Sequence, residues 1–461
     1  MNTREQASFV ALPAAAAPRQ WFSFAVAVLC ATVAVPALLL LVGLPGKNLP
    51  DNDLPADYLV GLWYGLGLSL FVFALPANAQ ERKVLLFSWL VRVLVVAGPV
   101  LIFEGHYTGG DSFAYYDAAR WGLYYDVKDY GGHVVNFPTS TLFMQAVTTT
   151  IYNFGLHSFR AIKMTFAMIG FLGVYLFYRA AVLFLRQRSS KLLLALGLVP
   201  SILFWSSGIS KDPLIMFGVA LYSFGAVGLC TRRNLLYLIP VGLGLLISSL
   251  VRPWMAPIMC FWLIAAGLTI RGHLVTKLAV GAVGLVAMIY LAQGVLATFS
   301  VKSQGELLET LQQNQRTFVG GGSRLESVSV VEWSDALKFA PIGAFTAFFR
   351  PFPGEVMNLF GIIAGVEDVG FLLLFARALI RLRLRDFADP VVAGTAGMLL
   401  VWAFFYAFVS SGNLGSAARY RLQVLPLLIM LLMFLGRKEN NRVGTWFINV
   451  RSEFGRLPVM S

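Results

Sequence analysis

Two aspartates stand in an aromatic, glycine-punctuated stretch, EGHYTGGDSFAYYDAARW, over positions 104–121. Two glycines directly before Asp111 predict a turn followed by a helix that Asp111 caps. A carboxylate in this position can serve as a general base toward a hydroxyl nucleophile, and Asp117 is the second candidate on the same helix. The sequence also allows Asp111 to do no more than cap the helix.

Cations supply the other half of the chemistry, because several stand at the ends of apolar segments and one lies deep inside such a segment. The guanidinium group of Arg is a planar fork that suits phosphate oxygens. Each cation can instead snorkel to the membrane interface or pair with a carboxylate. Taken together, they predict a phosphate-binding patch made of Arg92, Lys211, Arg252, Arg350, Arg419 and Arg421.

Other kinds of chemistry find little support. The four His and three Cys form no metal-ligand spacing, so no protein-built zinc or haem site is expected and a metal is not predicted. The adjacent acids Glu367 and Asp368 lie deep in an apolar segment. They can pair with Arg92 or Arg179, or line a proton or ion path.

The composition defines what must position these groups. Of 461 residues, 58% are hydrophobic and only 13% are charged, with a mean hydropathy of +0.72. Such a chain cannot hide its apolar surface in a water-soluble fold, and it is too apolar to be disordered. The sequence therefore predicts an all-α polytopic membrane protein.

About twelve transmembrane helices are predicted, since a bilayer core requires roughly 20 apolar residues per helix. Assigning the basic connections to the cytoplasm places both termini there and accounts for nearly all of the net charge of +13. That excess directs topology, so no nucleic acid or other acidic partner is indicated. The predicted spans are 21–42, 58–75, 84–103, 161–185, 192–209, 213–230, 235–251, 254–270, 274–299, 356–380, 391–410 and 418–436.

One membrane domain, 21–436, is predicted between a flexible tail at 1–20 and a basic tail at 437–461. Its larger outer loops are 104–137 and 301–336, the second polar and flexible. Two further apolar segments, 138–154 and 338–349, are predicted to be interfacial or re-entrant, because crossing would break the alternation of sides. The second of these runs into RPFPGE, where two prolines end a helix abruptly and complete the segment 338–355.

These residues together resemble the GT-C class of membrane glycosyltransferases that use polyprenyl-linked donors. The resemblance rests on Asp111 in GGDSFAYYDAA, on Arg419-Tyr420-Arg421 leading to Pro426, and on membrane topology over most of the chain. The stretches FWSSGISKD and RPFPGE are similar to bacterial exopolysaccharide or O-antigen repeat-unit polymerases. Two acids separated by five residues replace the adjacent acidic pair of many members.

The resemblance implies an inverting glycosyltransferase of the bacterial inner membrane that makes cell-surface polysaccharide. A polyprenyl-phosphate donor would arrive through the bilayer, and the cations would stabilise the phosphate leaving group. Asp111 would take the proton from the acceptor hydroxyl, while Tyr115, Tyr116 and Trp121 would stack on sugar rings. No nucleotide or other cofactor is required.

Three rival functions stay open on the sequence. The first is a repeat-unit polymerase of the same superfamily. The second is a transporter or flippase of lipid-linked saccharide, which predicts repeated halves and a site at the membrane midplane, and no convincing repeat is seen. The third is a non-catalytic envelope subunit, whose outer charges could be replaced without loss.

Overall fold

The computed structural model describes residues 54–106, 111–122, 140–232, 234–269, 274–298, 305–306, 332–409 and 412–437. These residues form helices and their connections and contain no β-strand, which confirms the predicted all-α class. The predicted first span at 21–42 and the tail at 1–20 lie outside the described residues. So does the terminal tail after Arg437, together with most of the loops at 104–137 and 301–336.

The helices of these segments range in length from 5 to 27 residues. Two 3-10 turns, Leu235–Tyr237 and Leu384–Ala388, lie between helices. The helices are α1 (Leu54–Gly67), α2 (Leu70–Ala74), α3 (Ala79–Ala97), α4 (Pro99–His106), α5 (Asp111–Trp121), α6 (Thr141–Asn153), α7 (Phe159–Leu185), α8 (Ser190–Leu198), α9 (Pro200–Trp205), α10 (Lys211–Arg232), α11 (Leu238–Val251), α12 (Met255–Thr269), α13 (Leu274–Thr298), α14 (Trp333–Phe349), α15 (Leu359–Ile380), α16 (Pro390–Val409), α17 (Leu414–Arg421) and α18 (Leu425–Leu435).

Six helical stretches among the described residues are long and apolar enough to cross a membrane. A seventh arises if α17 and α18, which bend by 73° at their junction, count as one span. The number twelve stays a prediction. The six stretches are Ala56–Ala74, Phe159–Leu185, Lys211–Arg232, Lys277–Leu296, Leu359–Ile380 and Pro390–Val409.

Helix α10 lies at the centre of the packing, against α7 on one side and α11 on another. Close approach of α10 and α11 depends on small residues, because a Cβ added at Gly244 would lie 2.6 Å from the Gly218 carbonyl oxygen. By contrast, α13 leaves large side chains such as Val283, Val286 and Tyr290 exposed, as expected of a lipid-facing helix. Because α10 is packed between other helices, its first residues are held in defined positions. These residues belong to the candidate functional site.

The segment predicted as a single span at 192–209 is not one continuous helix. Helix α8 ends at Leu198, and α9 starts afresh with Pro200 in its first turn. A proline lacks the N–H for the preceding helix and disfavours helical backbone at the residue before it. The result is a short helix, α9, followed by the connection 206–210.

The two segments predicted to be interfacial or re-entrant are both helical. Helix α6 occupies Thr141–Asn153, and α14 extends from Trp333 to Phe349. As predicted, α14 ends directly before the RPFPGE stretch, with Arg350 in extended backbone. Their depth in the membrane stays a prediction.

Candidate functional site

Three helices, α5, α6 and α10, begin side by side. The Ser112 hydroxyl in the first turn of α5 donates to the Ile209 carbonyl, 3.0 Å away, just before α10. Lys211 Nζ, at the start of α10, donates to Ser140 Oγ at 2.7 Å and Thr141 Oγ1 at 3.0 Å, where α6 starts. Each helix brings its unpaired N–H groups and positive dipole end to this place, which favours an anion.

An unbroken chain of ion pairs lies at the same place. Arg419 donates from Nη2 to Asp111 Oδ2 at 3.1 Å and from Nε to Asp212 Oδ2 at 2.5 Å. Arg252 Nη2 lies 3.1 Å from the other oxygen of Asp212. We call Asp111, Lys211, Asp212, Arg252 and Arg419 the ionic cluster.

The two carboxylates of the ionic cluster differ in access. The Asp212 side chain is 1% exposed and holds two guanidinium groups, whereas the Asp111 side chain is 49% exposed and contacts one. A buried carboxylate between two cations fixes their positions, because losing it would leave Arg252 without this counter-charge and Arg419 with Asp111 alone. Asp111 is therefore the carboxylate that an incoming molecule can reach.

Aromatic rings orient the guanidinium groups of the cluster. The guanidinium carbon of Arg252 lies 4.4 Å from the centre of the Tyr420 ring, and that of Arg419 lies 5.8 Å from the Trp205 ring. Arg252 also donates to Tyr406 Oη at 3.4 Å. These faces favour the cations and restrict their side chains, so a ligand meets groups that are already ordered.

Arg92 lies apart from the ionic cluster, fully buried at the end of α9. Its Nη1 donates to the carbonyl and hydroxyl of Ser206 and to Ser207 Oγ, the last at 3.3 Å. At the other end of α9, Glu367 Oε2 accepts from the Ser201 backbone N–H at 2.8 Å. A carboxylate at the N-terminal end and a cation at the C-terminal end both complement the helix dipole. Two buried charges thus hold the helix that leads into the site.

Arg421 faces away from Arg419 and makes a buried ion pair with Asp368, with Nη2 and Oδ1 2.5 Å apart. Its Nη1 donates to the Phe348 carbonyl at 2.7 Å, which ties α17 to α14. Asp368 therefore pairs with Arg421, and the structure does not favour the alternative in which the acidic pair 367–368 binds Arg92 or Arg179. Arg421 belongs to this structural ion pair and is not a member of the ionic cluster.

Arg350 is also outside the cluster, because it pairs with Glu355 within its own turn. Its Nε lies 3.0 and 3.1 Å from the two carboxylate oxygens, and the Phe352 N–H donates to the same carboxylate at 2.7 Å. Burial by itself raises the pKa of Glu355, but these hydrogen bonds outweigh it and bring the pKa below its ordinary value.

The aromatic residues of α5 are placed differently from one another. Tyr115 and Tyr116 are only 2% and 3% exposed, and Tyr116 Oη donates to the His157 carbonyl at 2.7 Å. Buried among core side chains, neither ring offers an open face to a sugar. Trp121, in contrast, is 63% exposed. Of the three predicted stacking residues, Trp121 alone presents an open surface.

Asp117 does not join Asp111. Six residues at 100° each place the two about 120° apart around α5. Partial burial raises the pKa of Asp117, while the neighbouring Arg120 lowers it. The two carboxylates therefore do not form a catalytic pair in this arrangement.

Asp212 is the member that the sequence analysis did not assign. It directly follows Lys211 in FWSSGISKD, and the Lys-Asp dipeptide at a helix start is the one signal that could have indicated its role. No group of three or more metal-ligating side chains occurs in the part of the chain that the structure describes.

The ionic cluster combines an accessible carboxylate with three cations at the meeting point of three helix N-termini. Such an arrangement can bind an anionic group and accept a proton beside it. No protein-family model, no curated protein and no solved structure matches this chain.

Proposed function

We propose that this chain is an integral membrane glycosyltransferase of bacterial cell-surface polysaccharide synthesis. It takes sugar or oligosaccharide from a polyprenyl-phosphate-type donor on the extracytoplasmic face of the inner membrane. One observation carries the proposal: the ionic cluster is net positive, ordered and open through Asp111 at the end of membrane-capable helix α10.

The charge balance supports an anionic substrate group. Three cations face two carboxylates, and Lys211 contacts the neutral hydroxyls of Ser140 and Thr141 instead of an acid. One positive charge is therefore left for a ligand, and the dipoles of α5, α6 and α10 add to it. A phosphate or pyrophosphate leaving group gains negative charge as its glycosidic bond breaks, so fixed cations there stabilise the transition state.

The proposed reaction is a single displacement. Asp111 takes the proton of the acceptor hydroxyl as its oxygen attacks the anomeric carbon of the donor sugar. The bond from that carbon to the lipid phosphate oxygen breaks, and its electron pair leaves on the phosphate near Arg419 and Lys211. Attack from the side opposite the leaving group inverts the anomeric configuration.

The position of the cluster favours an enzyme over a transporter. Transporter sites are expected near the bilayer midplane between repeated halves. Here Lys211 and Asp212 are the first two residues of a 22-residue helix, far from its middle. The repeat-unit polymerase is the same chemistry with a lipid on both substrates.

The test uses purified protein in lipid vesicles with a polyprenyl-phosphate sugar and a saccharide acceptor. Wild type is expected to form a glycosidic product, and Asp111→Asn to lower kcat by about 10²–10⁴-fold. Asp117→Asn probes the other carboxylate of α5 and is expected to retain most activity. Movement of intact donor across the vesicle without bond cleavage would reject the enzyme and support a flippase.

A further inference from the structure

An apolar groove opens near the other end of α10, the helix that carries Lys211 and Asp212. Ala181 and Phe184 of α7, Val392 of α16 and Met430 of α18 are among its lining residues. Val227 of α10 also lines it, sixteen residues after Lys211, which is about 24 Å along the helix. The groove is therefore separate from the candidate site.

Cations gather where the groove ends. Arg437 lines it directly. Arg377 Nε and Arg381 Nη1 both donate to the Gly436 carbonyl, at 3.0 and 2.9 Å. Arg377 lies in the last turn of α15, and Arg381 directly follows that helix. Three guanidinium groups thus surround the C-terminal end of α18.

These cations are suited to bind a phosphate. In the described part of the chain, neither Arg377 nor Arg381 forms an ion pair with a carboxylate, and the two share a single carbonyl oxygen. A guanidinium fork pairs best with carboxylate or phosphate oxygens, so a carbonyl leaves much of its hydrogen-bonding capacity for a ligand. The arrangement is a positive rim on an apolar groove.

We propose that this groove holds one acyl chain of an anionic phospholipid, with its phosphate among Arg377, Arg381 and Arg437. The bilayer surrounds such a groove and supplies the lipid laterally. A chain that moves from the bilayer into an apolar groove changes one apolar environment for another, so selectivity comes from the head group. The proposed lipid site does not rest on the proposed glycosyl transfer.

Binding has a structural consequence for the candidate site. The lipid would bridge α15 to α18, and α18 continues directly from α17, which carries Arg419. The two helices bend by 73° at their junction. An anionic lipid on α18 therefore stabilises the element that supplies Arg419 to the ionic cluster.

The test measures lipid bound to purified, delipidated protein by native mass spectrometry. Phosphatidylglycerol is expected to bind one per chain, about tenfold more tightly than zwitterionic phosphatidylcholine, because each nearby cation favours an anionic head group. The double variant Arg377→Gln/Arg381→Gln should abolish this preference, and Met430→Trp should weaken both lipids by filling the groove. Matched controls are Lys277→Gln and Leu400→Trp, whose side chains do not line the groove.

A wild-type measurement keeps the test independent of variant folding. Phosphatidylglycerol with a photoreactive acyl chain should label α7, α16 or α18 in preference to lipid-facing α13. Equal binding of the two lipids, labelling mainly on α13, or competition by inorganic phosphate as strong as by lipid would each overturn the proposal. Lipid binding that rises when residues 438–461 are removed would identify the chain's own terminus as the occupant and also overturn it.

Discussion

Asp212 and Arg419 form a close ion pair although 207 positions separate them in the chain, with Oδ2 and Nε 2.5 Å apart. The same carboxylate, almost fully buried, also accepts from Arg252. Asp212 thereby joins the start of α10 to α17 and to the connection after α11. Among the described residues, the accessible carboxylate of Asp111 forms its ion pair with Arg419. The position of the proposed base therefore depends on the pair between Arg419 and Asp212.

Replacing Asp111 should separate chemistry from stability. Asp111→Asn removes the proposed base, yet its half-exposed ion pair contributes only about 0–1 kcal/mol to folding. We expect an unchanged thermal midpoint in detergent and a loss of sugar transfer. A variant that unfolds early would show that Asp111 is mainly structural and that its helix-capping role dominates.

Replacing Asp212 is expected to lower the stability of the fold, in contrast to replacing Asp111. Asp212→Asn leaves the buried guanidinium group of Arg252 without its carboxylate and leaves Arg419 with Asp111 alone, which is expected to lower the free energy of unfolding by about 3–5 kcal/mol. Denaturant unfolding in detergent, followed by tryptophan fluorescence, measures this. Asp335→Asn, at a partly exposed carboxylate far from the cluster in sequence, provides a comparison. Equal stability of the two variants would contradict the role given to Asp212.

Arg92 is expected to act by positioning the connection after α9. Arg92→Met keeps much of the side-chain volume but leaves the Ser206 carbonyl and two hydroxyls without their donor, a loss of about 1–3 kcal/mol. Hydrogen exchange at residues 206–210 should rise, and KM for the donor should rise more than kcat falls. Arg179→Met, which removes a more exposed Arg of α7, should leave exchange at 206–210 unchanged. Protection equal to wild type in Arg92→Met would reject this role.

The RPFPGE turn should weaken in acid. Glu355 has a folded pKa below its ordinary value of 4.5 because of Arg350 and the Phe352 N–H. Its stabilising contribution is therefore complete above pH 4.5 and is lost as the pH falls through the lower folded value. Limited proteolysis at the turn should accelerate over that range in wild type. Glu355→Gln should show fast cleavage already at neutral pH, and a pH profile identical to wild type would contradict the assignment.

Sequence patterns predicted the parts of this molecule that follow from local hydropathy. The apolar runs gave α7, α10, α13 and α16 nearly to their ends, because burial in lipid demands long uninterrupted apolar helices. The break before Pro200 was missed since both sides are equally apolar. Proline restricts the backbone conformation of the residue before it, and this restriction was the signal that could have predicted the break.

The sequence predicted that residues of the candidate site share one side of the membrane. It did not predict which carboxylate each cation contacts. Alternation of sides placed Asp111, Lys211, Arg252 and Arg419 on one face, and the structure brings these four together. Which acid each cation meets depends on tertiary packing between distant helices. For that reason Asp212 was missed, and Arg421, only two residues from Arg419, pairs with Asp368 outside the ionic cluster.

The order of synthesis has a consequence for the ionic cluster. Arg419 follows Asp111 by 308 positions and Asp212 by 207, so both carboxylates leave the ribosome long before it. Until α17 is inserted, Asp111 lacks its cation and Asp212 has only Arg252. A chain interrupted before α17 therefore has the start of α10 joined to the connection after α11 through Asp212 and Arg252, but it lacks the ion pairs that connect Asp111 to them. Only a molecule translated past Arg419 has the complete ionic cluster.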